Sequence, residues 1–178
     1  MSRLKTYTSY IIFIFVFLIH FNSPVITSFD SKWSIHSAIS IIREGNLNLD
    51  EYVHLLETPD YRVETVNGHI YSIYPHGTPI LAVPLVWIID WGLTHFFQMD
   101  LQQLAIDGWF MGRIEVFIAS IIVALSTVII YKTSLLITNN HAWAILLSFV
   151  FAFGTSAWST ASRGLWQHGP SMLMLAAA

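Results

Sequence analysis

"PILAVPLVWIIDWGLTHFF", residues 79–97, is the stretch on which the fold turns. A bilayer-spanning helix needs about 20 apolar residues, and this run almost supplies them, but Pro84 and Asp90 interrupt it. Trp87, Trp91, His95 and Phe96 are of the kind that settles at headgroup level. One reading makes the run a membrane span with a costly buried Asp90. The other lays it in the interface, on the same side as the residues before it. We adopt the second, and the rest of the chain then falls into a simple order.

The 178 residues are 54% hydrophobic and only 11% charged, with a mean hydropathy of +0.59. A soluble domain carries about a quarter charged residues. The expected class is therefore a mainly α, polytopic membrane protein. The net charge of −3 conceals an asymmetry, because ten of the eleven acids lie between Asp30 and Asp107. Cysteine is absent, which excludes a disulfide framework, a thiolate nucleophile and a cysteine metal site. No basic patch for nucleic acid, no phosphate-binding glycine loop, no GxSxG and no internal repeat is present.

Residues 7–29 form the first expected span. Arg3 and Lys5 precede it and place the N-terminus in the cytoplasm. A cleaved signal peptide is the alternative, against which Ile26 and Ser28 make a poor small-x-small site. Residues 30–108 are then an outer loop. A second span covers 109–131, with Arg113 and Glu115 at one end, and Lys132 and Asn139-Asn140 make a polar break. A third span covers 141–158. Gly169 and Pro170 open a further span at 170–178 that stops about two turns in, so the sequence reads as the N-terminal part of a longer polypeptide. In this topology 28–112 and 159–170 are outside, and 132–140 is inside.

The outer loop has its own local grammar. In "DSKWSIHSAISIIREGN", Ile35, Ala38, Ile39 and Ile42 recur at helical spacing, with Lys32, His36 and Arg43 off that face and Gly45 as the stop. "NLNLDEYVHLLET" offers Asn48 as an N-cap and Glu51 three residues on, a capping-box arrangement. "YRVETVNGHIYSIY" centres on Asn67-Gly68, a strong hairpin signal that pairs Val66 with His69, Glu64 with Tyr71 and Arg62 with Ile73. A Pro-His-Gly-Thr-Pro turn follows.

Three places could carry chemistry. Asp30 is the first charge after the first span, beside Lys32 and Trp33. It could act as a general base or hold a divalent cation, or cap the helix that follows. Asp50-Glu51 is the only adjacent acidic pair, a weak metal candidate or a complement to a helix dipole. Arg163 and His168 flank "GLWQ" at a span's end. A guanidinium there suits a lipid phosphate, or simply snorkels to the interface. The eight histidines show no HxH or HxxxH spacing and read as packing or interfacial residues.

The order of these features, with "SFDSKW", "NGHIYSIYPHGTPILAVPL", "MGRIEVFIAS" and "FGTSAWSTASRGLWQHGPSM", resembles the N-terminal part of the membrane glycosyltransferases of the GT-C fold. It is most similar to bacterial relatives of protein O-mannosyltransferases and of the lipid A aminoarabinose transferase. The resemblance implies a GT-C module in a bacterial inner membrane, a polyprenyl-phosphate-linked sugar as donor and an acceptor (glycan, lipid or protein) reached from the outer face. It implies Asp30 as the catalytic acid residue. Tyr71, Tyr74, Pro75, His76 and Gly77 would form a cavity wall. Arg163, with His168 or Lys32, would bind the donor phosphate. The resemblance names no certain cofactor, and a divalent metal is possible. Two differences stand out: Asp30 is followed by Ser31 rather than a second acid, and His76 replaces a common second proline. The competing expectations are a non-catalytic polytopic membrane protein, such as a transporter subunit or assembly partner, and an inactive truncated remnant.

Overall fold

A computed structural model describes residues 2–27, 29–57 and 59–178, with side chains from Thr6 onward. Arg3 and Lys5, which orient the chain above, and Ser28 of the cleavage reading lie outside the described side chains. The chain is mainly helical. Its elements run α1 (Ser2–Phe21), α2 (Ser34–Arg43), a 3-10 helix (Asp50–Leu55), β1 (Val63–Val66), β2 (His69–Ser72), α3 (Gly77–Gly92), a π-helical turn (Leu93–Phe97), α4 (Leu101–Leu104), α5 (Gly108–Thr138), α6 (His141–Gly154), a second π-helical turn (Ala157–Ala161) and α7 (His168–Ala177). Among the described residues, Gly77–Phe97 and Gly108–Thr138 are long and apolar enough to cross a membrane, while Thr6–Phe21 and His141–Gly154 are shorter apolar helices. Two compact units result, residues 1–27 with 116–178 and residues 28–115.

The first unit is built on α1, the body of α5, α6 and α7. α1 stops at Phe21, well short of the expected boundary at 29. Asn22 turns its side-chain amide back to the Leu18 carbonyl at 2.8 Å, and Pro24 disfavours helical backbone at Ser23. α5 runs through Lys132 to Thr138, so the lysine is not a break. The break is made by the two asparagines. Asn139 takes a left-handed φ of 49°, and the Asn140 side chain accepts from Ala142 N and Trp143 N to start α6. Val16, Val123, Ala124, Tyr131, Ala144, Ala152 and Ala157 form the core, with many small side chains that allow close helix approach. Gly169 packs closely at the start of α7, where a Cβ would lie 3.4 Å from the Ala161 carbonyl.

In the second unit α2 packs against α3. Ile35, Ala38 and Ile39 are buried as the spacing predicts, and Gly45 with φ 71° ends the helix. His36 is also buried, contrary to the amphipathic reading. Its ring lies against Trp33 and Tyr52, and its Nε2 lies 3.1 Å from the Ala105 carbonyl. The hairpin has the expected register, Val66 opposite His69 and Glu64 opposite Tyr71, with Ile73 N donating to the Arg62 carbonyl. Asn67 and Gly68 both have positive φ, as a two-residue primed turn requires. Gly77 to Pro79 form the first turn of α3 rather than a separate loop.

The Asn48–Glu51 capping box is not formed. The 3-10 helix starts at Asp50, with Leu49 at its cap position. The edge of β2 decides this: Leu49 N donates to the Ile70 carbonyl at 2.7 Å, and Asp50 accepts from Ile70 N at 2.8 Å. Tying Asp50 to the strand leaves Glu51 to take the hydroxyl of Ser40.

Candidate functional site

Asp30 does not cap α2. The cap position belongs to Trp33 and has no side-chain hydrogen bond. Three residues of turn separate Asp30 from the helix and free its carboxylate for other partners. The Tyr61 hydroxyl donates to Asp30 Oδ1 at 2.9 Å, and the Tyr74 phenol is close enough to feel the same carboxylate. These two tyrosines flank the hairpin, so its register delivers both phenols to one acid. The bond to Asp30 raises the Tyr61 phenol, and burial followed by that same carboxylate raises Tyr74 to about 12. Both hydroxyls stay protonated and act as donors at neutral pH.

Next in the chain, the Ser31 hydroxyl donates to Glu115 Oε2 at 2.5 Å, and Glu115 is only 1% exposed. Behind Asp30 lies an ion-pair chain. Arg62 forks onto Asp60 at 2.7 and 3.0 Å and reaches Glu57 at 3.1 Å. Glu57 in turn holds Lys32 at 2.9 Å. Arg62 also donates to the Phe29 carbonyl, which fixes the backbone immediately before Asp30. The result is a carboxylate positioned by two phenols on a segment braced by charge pairs, an arrangement suited to orienting a proton acceptor.

The cavity-wall residues are treated unequally. Tyr74 joins Asp30. His76 is half-buried, and its Nδ1 has no hydrogen-bond partner among the described residues. Pro75 and Gly77 are exposed, and Tyr71 stays in β2 opposite Glu64. Lys32, a candidate phosphate ligand, is engaged by Glu57 and lies 5.0 Å from the Trp33 ring centre. Asp50 and Glu51 diverge: Asp50 Oδ2 lies 2.6 Å from His69 Nδ1, and Glu51 binds Ser40. The histidine bond holds the Asp50 carboxyl below its usual range. Among the described residues no three His, Asp or Glu side chains converge as a metal set.

Arg163 and His168 belong to the first unit. Arg163 is 2% exposed, with its guanidinium 4.0 Å from the Trp158 ring centre. Its Nε donates to the Trp158 carbonyl at 2.8 Å and Nη1 to the His20 carbonyl at 3.4 Å. Around it, Thr27 N donates to the Arg163 carbonyl and Trp166 Nε1 donates to the Thr27 carbonyl, at 2.7 and 2.9 Å. Residues 1–27 and 116–178 contain no Asp or Glu, so this buried cation has no carboxylate within its unit. His168 is exposed and stacks on Trp166.

No family model, no curated protein and no solved structure matches this chain. The geometry of its own residues therefore carries the functional argument. Tyr61 and Glu115 are the contributors that sequence reasoning passed over. Tyr61 had a signal, since the hairpin register sets it across from Tyr74. Glu115 resembled an ordinary charge at a helix end.

Proposed function

We propose that the chain is the N-terminal module of a polytopic membrane glycosyltransferase of the GT-C type. It would transfer a sugar from a polyprenyl-phosphate donor to an acceptor on the outer face. The observation that carries the reading is Arg163, a buried guanidinium in a unit without a single acid. A buried cation needs a compensating anion, and a planar fork of donors suits a phosphate.

In this reading the acceptor hydroxyl gives its proton to the Asp30 carboxylate. The acceptor oxygen bonds to the anomeric carbon as the bond from that carbon to the phosphate oxygen breaks. The lipid phosphate leaves with the electron pair, and Arg163 stabilises its charge. Tyr61 and Tyr74 hold Asp30 in place for the transfer. Lys32 is already neutralised by Glu57 and is given no part in phosphate binding.

Membrane residence is supported by the apolar side chains exposed on the first unit, among them Ile11, Ile14, Trp143 and Val150. Such a surface is costly in water and suits lipid. The interfacial placement of α3 is supported by Asp90, which is 8% exposed and pairs with Arg43 of the charged-ended α2 at 2.7 Å. A span that crossed would have to take this partner with it.

The reading requires Asp30 and Arg163 to face the same side of the bilayer. Single cysteines at Gln103, Asn139 and Gln167, each exposed, can be probed with a membrane-impermeant thiol reagent in the otherwise cysteine-free chain. Labelling from outside at Gln103 and Gln167 but not at Asn139 is expected. Labelling at Asn139 alone sinks the proposal. Asp30→Asn is expected to cut sugar transfer by about 10²–10⁴-fold with membrane insertion unchanged, and undiminished transfer would remove Asp30 from the mechanism.

A further inference from the structure

Within the first unit a groove of about 770 Å³ runs between α1 and α5. The two helices are antiparallel, since Phe17 and Phe21 both meet Phe117 while Ser9 and Phe13 share the groove with residues near the far end of α5. The lining changes character along its length. Phe13, Leu125 and Val128 present only carbon at one end. Ser9, Lys132 and Asn139 add hydroxyl, ammonium and amide groups at the other, beside Leu135 and Leu136 and close to the chain's N-terminus. Lys132 is exposed, and no acid exists in its unit to neutralise it.

We propose that this groove seats an anionic phospholipid of the leaflet on the N-terminal side, with its phosphate at Lys132 and an acyl chain along Phe13, Leu125 and Val128. Dimensions favour this occupant. At a rise of about 1.5 Å per residue, α5 from Leu125 to its end at Thr138 extends about 20 Å. One leaflet, headgroup included, measures about 20–22 Å. The polarity gradient has the lipid's own order, carbon toward the bilayer centre and charge toward the surface. An anionic headgroup complements Lys132, whose own unit holds no acid. The proposal rests on the membrane placement given above and is independent of glycosyl transfer.

The test uses the full-length protein reconstituted in vesicles of equimolar phosphatidylglycerol and phosphatidylcholine, with a photo-reactive benzophenone residue at Val128. A lysine near an anionic surface contributes about fivefold in affinity. Mass spectrometry of the adducts is therefore expected to show phosphatidylglycerol favoured about fivefold over phosphatidylcholine. The preference should vanish in Lys132→Gln and persist in Lys132→Arg. Equal capture of the two lipids in the unsubstituted protein overturns the proposal, as does an unchanged preference in Lys132→Gln. Adducts to protein, from the same chain or a second copy, also overturn it by naming a different occupant. Release of the protein from the vesicles by alkaline carbonate would instead refute the membrane placement itself, which separates the two failures.

Discussion

Tyr61 and Tyr74 turn a backbone register into a catalytic hypothesis, because Tyr61 donates its hydroxyl to Asp30 and Tyr74 brings a second phenol to the same carboxylate. Replacing either with Phe removes one phenol from beside Asp30 and leaves the carboxylate. In the glycosyl-transfer reading, Tyr61→Phe and Tyr74→Phe are each expected to lower kcat by roughly tenfold, since small misplacements of a reacting group are costly. Steady-state transfer assays would show it, and an effect confined to KM would mean that the phenols bind substrate instead. His36 offers a test of stability. Burial first, then nearby Lys32, outweigh its carbonyl bonds and hold the imidazole down at about 4. The unfolded ring titrates near 6.5, so between that pH and about 4 the unfolded chain binds more protons. Stability is fully present above pH 6.5 and is lost as pH falls through that window, by roughly 3 kcal/mol in all. Thermal unfolding in detergent at pH 7 and 4.5 should register the drop, and His36→Gln should flatten it. The sequence could not foresee this residue. Helical spacing puts position 36 off the apolar face, and only Trp33, Tyr52 and the Ala105 carbonyl closing over it make the site internal.

At the scale of elements, α3 is anchored through one ion pair. Asp90 is buried, and Arg43 is about a third exposed. Losing one partner strands the other's charge, though solvent at the arginine moderates the cost. Arg43→Met and Asp90→Asn are each expected to destabilise the second unit by about 1–3 kcal/mol, with the double variant losing less than the sum. A double-mutant cycle on chemical unfolding measures the coupling, and strict additivity would show the pair to be incidental. Elements defined by local chemistry were legible beforehand. Asn67-Gly68 dictated the hairpin and its register, and Gly45 the end of α2. Elements decided by distant partners were not. Asn48 had every local qualification as a cap, yet a strand edge some twenty residues later claimed Asp50. Asp30 likewise looked like a cap until the hairpin supplied two phenols.

For the molecule as a whole, the division of charge is as telling as any contact. All eleven acids lie in residues 28–115, and the remaining chain holds four Lys or Arg and none. Its exposed surface carries Ile, Leu, Phe and Trp side chains instead. The protein is therefore expected to stay with the membrane pellet in alkaline carbonate, while an external protease cuts only within 28–115 and the 159–170 loop. Recovery in the carbonate supernatant would contradict the membrane reading. Composition alone disclosed this division of charge, because a long run without charged residues needs no tertiary information to recognise.

The first unit also imposes an order of events on biosynthesis. Its two pieces, residues 1–27 and 116–178, are separated in the chain by a complete second unit. α1 leaves the ribosome long before Phe117 and Phe149, the side chains that meet Phe17 and Phe15, have been translated. At about 5–20 residues per second the wait is on the order of ten seconds. During that interval residues 28–115, contiguous in sequence, are synthesised in full. α1 has no helix of its own unit to pair with until α5 arrives.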